Sequence, residues 1–297
     1  MSDDFDKELR VGVVQTTVDS LAAWSGQLQM SQSEEERVVA EIQRHLTSLS
    51  LEQPRPDIVL LPELSIPLGF LDRLRKISAR LNAIIIGGMD FEIDTQDKAK
   101  VVNRAAVIIP DGWQKRDRSS RATLRYVGKT YPAWREQERL KKLNYDFKPI
   151  PEVWVFDGGR LGRFAVAVCF DFLDLERVAM YRLEVQHLFI LSYNLDITSF
   201  NHAAEALARM IYCNIVICNT GTYGGSLAVS PYKVEVKRVI YRHSGNGLST
   251  SQTICLPVRT LIEAQSNKPI PRDNRLFKSL PPGAKDQVKL HKFSESL

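Results

Sequence analysis

Short, unbroken apolar runs recur along the chain and dominate its folding options: "RVGVVQTT", "DIVLLPEL", "AIIIGGMD", "RFAVAVCF", "HLFILSYN" and "NIVICNTG". Each is the length of a strand, and none alternates between apolar and polar residues. A strand that is apolar throughout needs cover on both faces, as in sheets flanked by helices or by another sheet. Helical patterns fall between the runs. Ser33 and Glu36 have capping-box spacing, and Val38, Ile42, Leu46 and Leu49 form one stripe behind them. Further helices are expected from about Leu71 to Leu81, from just past Cys169 to about Leu183, and from near Ser199.

Between these βα units lie segments that read as strand against strand. "VVNRAAVIIPDG" and "TLRYVGKTYP" flank a basic loop, and "VWVFDGGRLGRFAVAVCF" reads as a hairpin turning at "DGG". More strands are expected at "GGSLAVS", "KVEVKRVIY" and "QTICLPV". The mixture predicts an α/β protein with two mixed sheets stacked face to face and helices outside, an α-β-β-α sandwich. With 297 residues, 44% hydrophobic, the chain can fill such a core. No repeat or linker divides it, so one domain is expected over 1–265. A basic, proline-containing tail is expected over 266–297, with seven Lys/Arg against three Asp/Glu.

Of the formal charge of +5, 7 − 3 = +4 sits in that tail, and a second basic cluster, "QKRDRSSRATLR", lies in a loop, a distribution that argues against a nucleic-acid role. No run is long enough to span a bilayer, and "MSDDFDKELR" lacks an export signal's apolar stretch. Four cysteines (169, 213, 218 and 255) do not suggest a disulfide framework, so a reducing, cytoplasmic setting is expected.

Three residues stand at strand ends: Glu63 in "LLPEL", behind a proline expected to end its strand, Lys129 in "YVGKTYP" and Cys169 in "AVCFD". Alone, each reads as a solvated cap or a packed thiol. Together they are chemically coherent. A thiol needs a base to attack at neutral pH, a desolvated carboxylate can serve, and a buried ammonium can hold the oxyanion that forms.

The trio in this order resembles the carbon–nitrogen hydrolase, or nitrilase, superfamily. "LLPEL", "GKTYPAW" and "CFDFLDLE" carry the likeness, along with the "VVNRAAVIIPDG" strand and the "ALARMIYCNIVICNTGTYGGS" block, over roughly residues 9–232. Two positions depart from the pattern: Leu173 stands where Arg or a large polar residue is usual, and Leu175 where proline is. The resemblance implies the four-layer nitrilase sandwich and hydrolysis of a small amide, carbamoyl compound or nitrile through a thioester, with amides favoured. It implies Cys169 as nucleophile, Glu63 as base, Lys129 as oxyanion donor beside the Phe170 backbone N–H, and a second glutamate. For that second glutamate Glu136 is favoured and Glu138 is the alternative. No metal or organic cofactor is called for. Tyr193, Asn194 and Thr222 are candidate pocket residues, and the helices after Cys169 and before "NIVICNTG" suit a homodimer.

Cys213, Cys218 and His202 resemble zinc ligands only weakly, since no second pair lies near. A thiol-protease pairing of His187 or His202 with Cys169 is disfavoured, because His187 starts a strand and His202 lies early in a helix, the far end from the carboxyl-side rim. "NTGTYGGS" lacks the Lys-Ser/Thr of a P-loop. Asp171 and Glu176 read as acids at a helix amino terminus. A nitrilase-fold binding or regulatory module, weakly active or inactive and acting with a partner protein or an acidic partner, is the alternative function.

Overall fold

A computed structural model describes residues 6–113, 120–266 and 275–284. Two six-stranded sheets form its centre. The first contains β1 (Glu8–Gln15), β2 (Ile58–Ile66), β3 (Ile84–Met89), β6 (Arg104–Pro110), β7 (Ala122–Gly128) and β15 (Thr250–Pro257), in the order β15-β1-β2-β3-β6-β7. The second contains β9 (Phe156–Asp157), β10 (Arg163–Val168), β11 (His187–Ser192), β12 (Asn214–Asn219), β13 (Ser226–Val229) and β14 (Val239–His243), in the order β14-β13-β12-β11-β10-β9. A small third sheet joins β4 (Glu92–Ile93), β5 (Lys100–Val102) and β8 (Asp146–Phe147).

Each large sheet has three parallel strands at its centre, β1-β2-β3 and β10-β11-β12, and antiparallel strands outside them. Side chains alternate as the pleat requires. Ile58 and Leu60 of β2 join the core between the sheets, while Val59 and Leu61 join a second core beneath the outer helices. That outer core is covered by α2 (Gln32–Leu51) and α3 (Leu71–Leu81). On the opposite side α5 (Leu175–Met180) and α6 (Ile197–Leu207) cover the second sheet, with Val178, Phe200 and Ala204 inward. The expected α-β-β-α layering is the observed one. Two short helices complete it, α1 (Ser20–Trp24) and α4 (Trp134–Lys142), with α7 (Arg259–Gln265) after β15.

Several local expectations change. Helix α2 starts two residues earlier than the capping-box spacing implied: Ser31 is the cap and accepts the Glu34 N–H, and Glu34 faces Arg37 and the Asp19 backbone. Past Cys169 there is no long helix. A 3₁₀ turn, Cys169–Leu173, precedes α5, because Asp174 caps a new start by accepting from the N–H groups of Glu176 and Arg177. "VVNRAAVIIP" is two strands, β5 and β6, parted at Asn103. The basic loop lies partly outside the described residues, at 114–119, as does much of the tail. Within that tail, residues 275–284 lie against the body: Phe277 bridges Tyr232, and the Lys278 carbonyl accepts from the Tyr212 hydroxyl.

Candidate active site

The proline in "LLPEL" does not end its strand. Strand β2 continues to Ile66, but its pairing with β3 jumps: Leu61 faces Gly87 and Ile66 faces Met89, so residues 62–65 stand opposite Gly88 alone. This bulge, with Leu64 at φ 56°, swings Glu63 out of the sheet's alternation and into the space between the sheets' carboxyl ends. Lys129 follows β7, and Cys169 follows β10. Cys169 has φ 47°, a left-handed conformation that L-residues rarely adopt and that recurs at nucleophile-bearing turns.

The three side chains line one pocket of about 620 Å³ together with Glu136. Lys129 Nζ lies 2.8 Å from Glu63 Oε1 and 2.5 Å from Glu136 Oε2. Asn103, at the break between β5 and β6, donates to Glu63 Oε1 at 2.9 Å and to Glu136 Oε1 at 2.8 Å. The Tyr193 N–H donates to Glu63 Oε2 at 3.0 Å. Glu63 and Lys129 are almost wholly buried, at 2% and 1% exposed. The Glu63 carboxylate and the Tyr193 N–H both lie beside the Cys169 thiol.

Burial alone would push the Lys129 ammonium down, but the Glu136 and Glu63 carboxylates outweigh it, and its pKa stands well above an ordinary lysine's. The lysine is therefore a fixed cation. Burial pushes the Cys169 thiol well up, Glu63 pushes it further, and Lys129 only partly offsets them. The resting sulfur thus carries its proton, and a base must remove that proton as the sulfur attacks.

Five aromatic side chains, Trp24, Phe91, Trp134, Tyr193 and Tyr223, line the pocket with Leu64 and Leu195. Trp24 is held by its indole N–H to Asp90 Oδ1 at 2.9 Å, and the Arg139 guanidinium stacks over Trp24 and Phe91. Of the candidate pocket residues, Tyr193 and Asn194 line it and Thr222 does not. The Thr222 hydroxyl is turned to the Val18 backbone, where it ties the 220–225 loop down. Glu138 is exposed on α4, whereas Glu136, two residues earlier, faces the lysine. Phe170 is the second residue of the 3₁₀ turn, so its N–H has no partner within the turn.

The competing constellations do not assemble. His187 is buried at the amino end of β11, bonded to the Leu161 carbonyl and Asn214, and its pKa is lowered by burial to about 4. His202 is exposed on α6, and Cys213 and Cys218 are buried in the apolar core around the second sheet. Among the described residues no group of three His, Cys, Asp or Glu side chains is placed to hold a metal ion. Asp171 is not a helix-terminal acid. It is fully buried and accepts the N–H groups of Thr130 and Tyr131, while Glu176 is exposed at the start of α5.

Asn103 lies in a family-like segment that by itself assigns the residue no role, and nothing in the sequence pattern singles out Trp24, Arg139 or Tyr223. Their roles depend on contacts between remote segments, and only Asn103 carried a sequence signal, the motif around it.

No family model matches the chain, and no curated protein sequence is similar to it. Solved structures are. Saccharomyces cerevisiae Nit3, a member of branch 10 of the nitrilase superfamily, superposes with TM-score 0.63 at 17% identity, over 87% of this chain and 93% of that one. The chain has the nitrilase fold. Another structure with this fold is XC1258 from Xanthomonas campestris, a CN-hydrolase superfamily protein with an arsenic adduct in its active site, at TM-score 0.60 and 16% identity over 87% and 94% of the two chains. An amidase from Nesterenkonia sp. AN1, whose E41L mutant shows covalent addition of the acetamide moiety of fluoroacetamide at the active-site cysteine, superposes at TM-score 0.60 and 14% identity over 86% and 93%.

Proposed function

We propose that the chain is a nitrilase-superfamily hydrolase that cleaves a non-peptide carbon–nitrogen bond, most simply an amide, through a thioester on Cys169. The observation that carries this reading is the Lys129 ammonium, buried between Glu63 and Glu136 in the pocket that Cys169 also lines. The active-site cysteine of the amidase neighbour supports it.

In this scheme Glu63 takes the proton from the Cys169 thiol as Sγ bonds to the carbonyl carbon. Two of the three Lys129 N–H donors are used on glutamates, which leaves one for the oxyanion, and the Phe170 N–H supplies a second. The tetrahedral adduct collapses, the C–N bond breaks, and Glu63 gives its proton to the leaving amine. Glu63 then draws a proton from water as the water attacks the thioester, releasing the acid and restoring the thiol. Glu136 and Asn103 hold the lysine and the base in register.

The same reading places the protein in the cytoplasm and in a homodimer. Among the described residues no helix is long and apolar enough to cross a membrane. Leu173, Leu175 and Met180 on and beside α5 leave apolar surface exposed, as does Met210 after α6, which suits pairing of two copies through these helices. A panel of small amides, carbamoyl amino acids and nitriles, assayed for ammonia release with Cys169→Ala as the blank, tests the activity. Equal release from both proteins overturns the hydrolase, and no release from either favours the binding module.

A further inference from the structure

The geometry points to Asp171, with Arg177 as its counter-charge, as the positioning residue that sets the Lys129 ammonium against the Cys169 thiol. This inference rests on the hydrolase reading for its meaning, but its test does not.

Lys129 and Cys169 belong to opposite sheets, and each sits on a turn that follows a strand. Something must fix one turn against the other. Among the described residues, every hydrogen bond between segments 129–131 and 169–173 runs through Asp171. Its carboxylate accepts the Thr130 N–H at 2.8 and 3.1 Å and the Tyr131 N–H at 2.8 Å. Thr130 adjoins Lys129 in the chain, and Asp171 lies two residues past Cys169 in the same 3₁₀ turn. One carboxylate thus joins the backbone that carries the cation to the backbone that carries the nucleophile.

Arg177 completes the joint. It lies 3.5 Å from Asp171 Oδ2, donates to the Thr130 hydroxyl and to the Glu152 carbonyl, and is 4% exposed. The Thr130 hydroxyl in turn donates to the Ile150 carbonyl. The Lys129 backbone is held on both sides: its N–H donates to the Asn103 carbonyl at 2.9 Å, and its carbonyl accepts from the Ile150 N–H at 3.1 Å. Gly128 lets Ile150 come this close, since a Cβ there would meet the Ile150 Cβ at 2.3 Å.

Stability alone does not call for this arrangement. A buried ion pair is commonly matched or bettered by apolar residues of the same volume, whereas its fixed geometry is not. Leu173 in the same turn is 41% exposed, and the cation that reaches Asp171 comes from α5. Misplacing a reacting group by about 1 Å can cost about 100-fold in rate.

The test compares Asp171→Asn and Arg177→Met with the parent protein. Alkylation of Cys169 by iodoacetamide is followed against pH by mass spectrometry, with exposed Cys255 as internal reference. The groups around the thiol are Glu63 from β2, Lys129 after β7, Glu136 from α4 and the Tyr193 N–H after β11. If the joint loosens, the thiolate loses its cation. The Cys169 profile of Asp171→Asn then moves up by about one pH unit, making labelling about tenfold slower at a fixed lower pH, while Cys255 is unchanged. Arg177→Met shows a smaller shift in the same direction, and decides the matter should Asp171→Asn fail to fold. On an amide substrate, kcat falls about 100-fold with KM little changed. An unmoved Cys169 profile, with loss of urea stability alone, makes Asp171 a structural residue only and overturns the inference. If the parent releases no ammonia, the hydrolase reading falls, and the labelling profile still decides the role of Asp171.

Discussion

The Lys129 ammonium lies 2.5 Å from the Glu136 carboxylate, in a site where both side chains are shielded from water. Removing the charge but keeping the shape, as in Glu136→Gln, takes away the larger of the two attractions that hold the lysine's pKa up against burial. The ammonium is then less firmly charged and less firmly aimed. Turnover is expected to fall about 100-fold, the usual cost of an oxyanion donor, while Glu138→Gln on the exposed side of α4 leaves the rate unchanged. Steady-state ammonia release from the two variants checks this.

Glu63→Gln separates two properties of the site. The Glu63 carboxylate pushes the Cys169 thiol up, so its neutral replacement moves the alkylation profile to lower pH. The same change removes the base, so amide turnover is lost. Faster labelling at a fixed neutral pH together with lost hydrolysis is the expected pair of results. An alkylation profile left unmoved would show that Glu63 does not face the sulfur as described.

Gly88→Ala tests the bulge that delivers Glu63. A Cβ at Gly88 would meet Glu63 Cα at 2.3 Å and the Leu64 nitrogen at 2.8 Å, both backbone atoms that cannot step aside. A stability loss of about 1–3 kcal/mol is expected in urea unfolding, with turnover lost out of proportion to it.

Burial holds the His187 pKa down at about 4, from an ordinary 6.5. Between these values the unfolded chain binds a proton that the folded one does not, so folding stability falls as pH drops. The contribution is complete above about pH 6.5 and lost by about pH 4, and it amounts to about 3 kcal/mol. Urea unfolding at intervals across that range measures the slope, and His187→Gln should flatten it.

Much of the fold is legible in the sequence because the signals are local. Unbroken apolar runs such as "IVLL" and "HLFIL" require cover on both faces, and this fixed stacked sheets with outer helices. Helix α3 spans Leu71–Leu81 as its pattern implied. Where competing local signals met, the pattern misled. Ser33 and Ser31 offer two caps two residues apart, and packing against the Asp19 backbone selects Ser31. Pro62 reads as a stop, yet β2 runs through it because the bulge places it opposite Gly88, outside the regular ladder.

The sequence by itself determined which residue types were present to do chemistry, and that Lys129 and Cys169 lay where strands give out, because apolar runs and their ends are written along the chain. Tertiary structure alone decided that Glu136 rather than Glu138 faces the lysine, that Asn103 bridges both acids, that Thr222 turns away, and that Asp171 joins two turns. All but the first of those outcomes depend on distances between segments tens of residues apart, and such distances are set only when two sheets pack face to face and bring their strand ends to one rim.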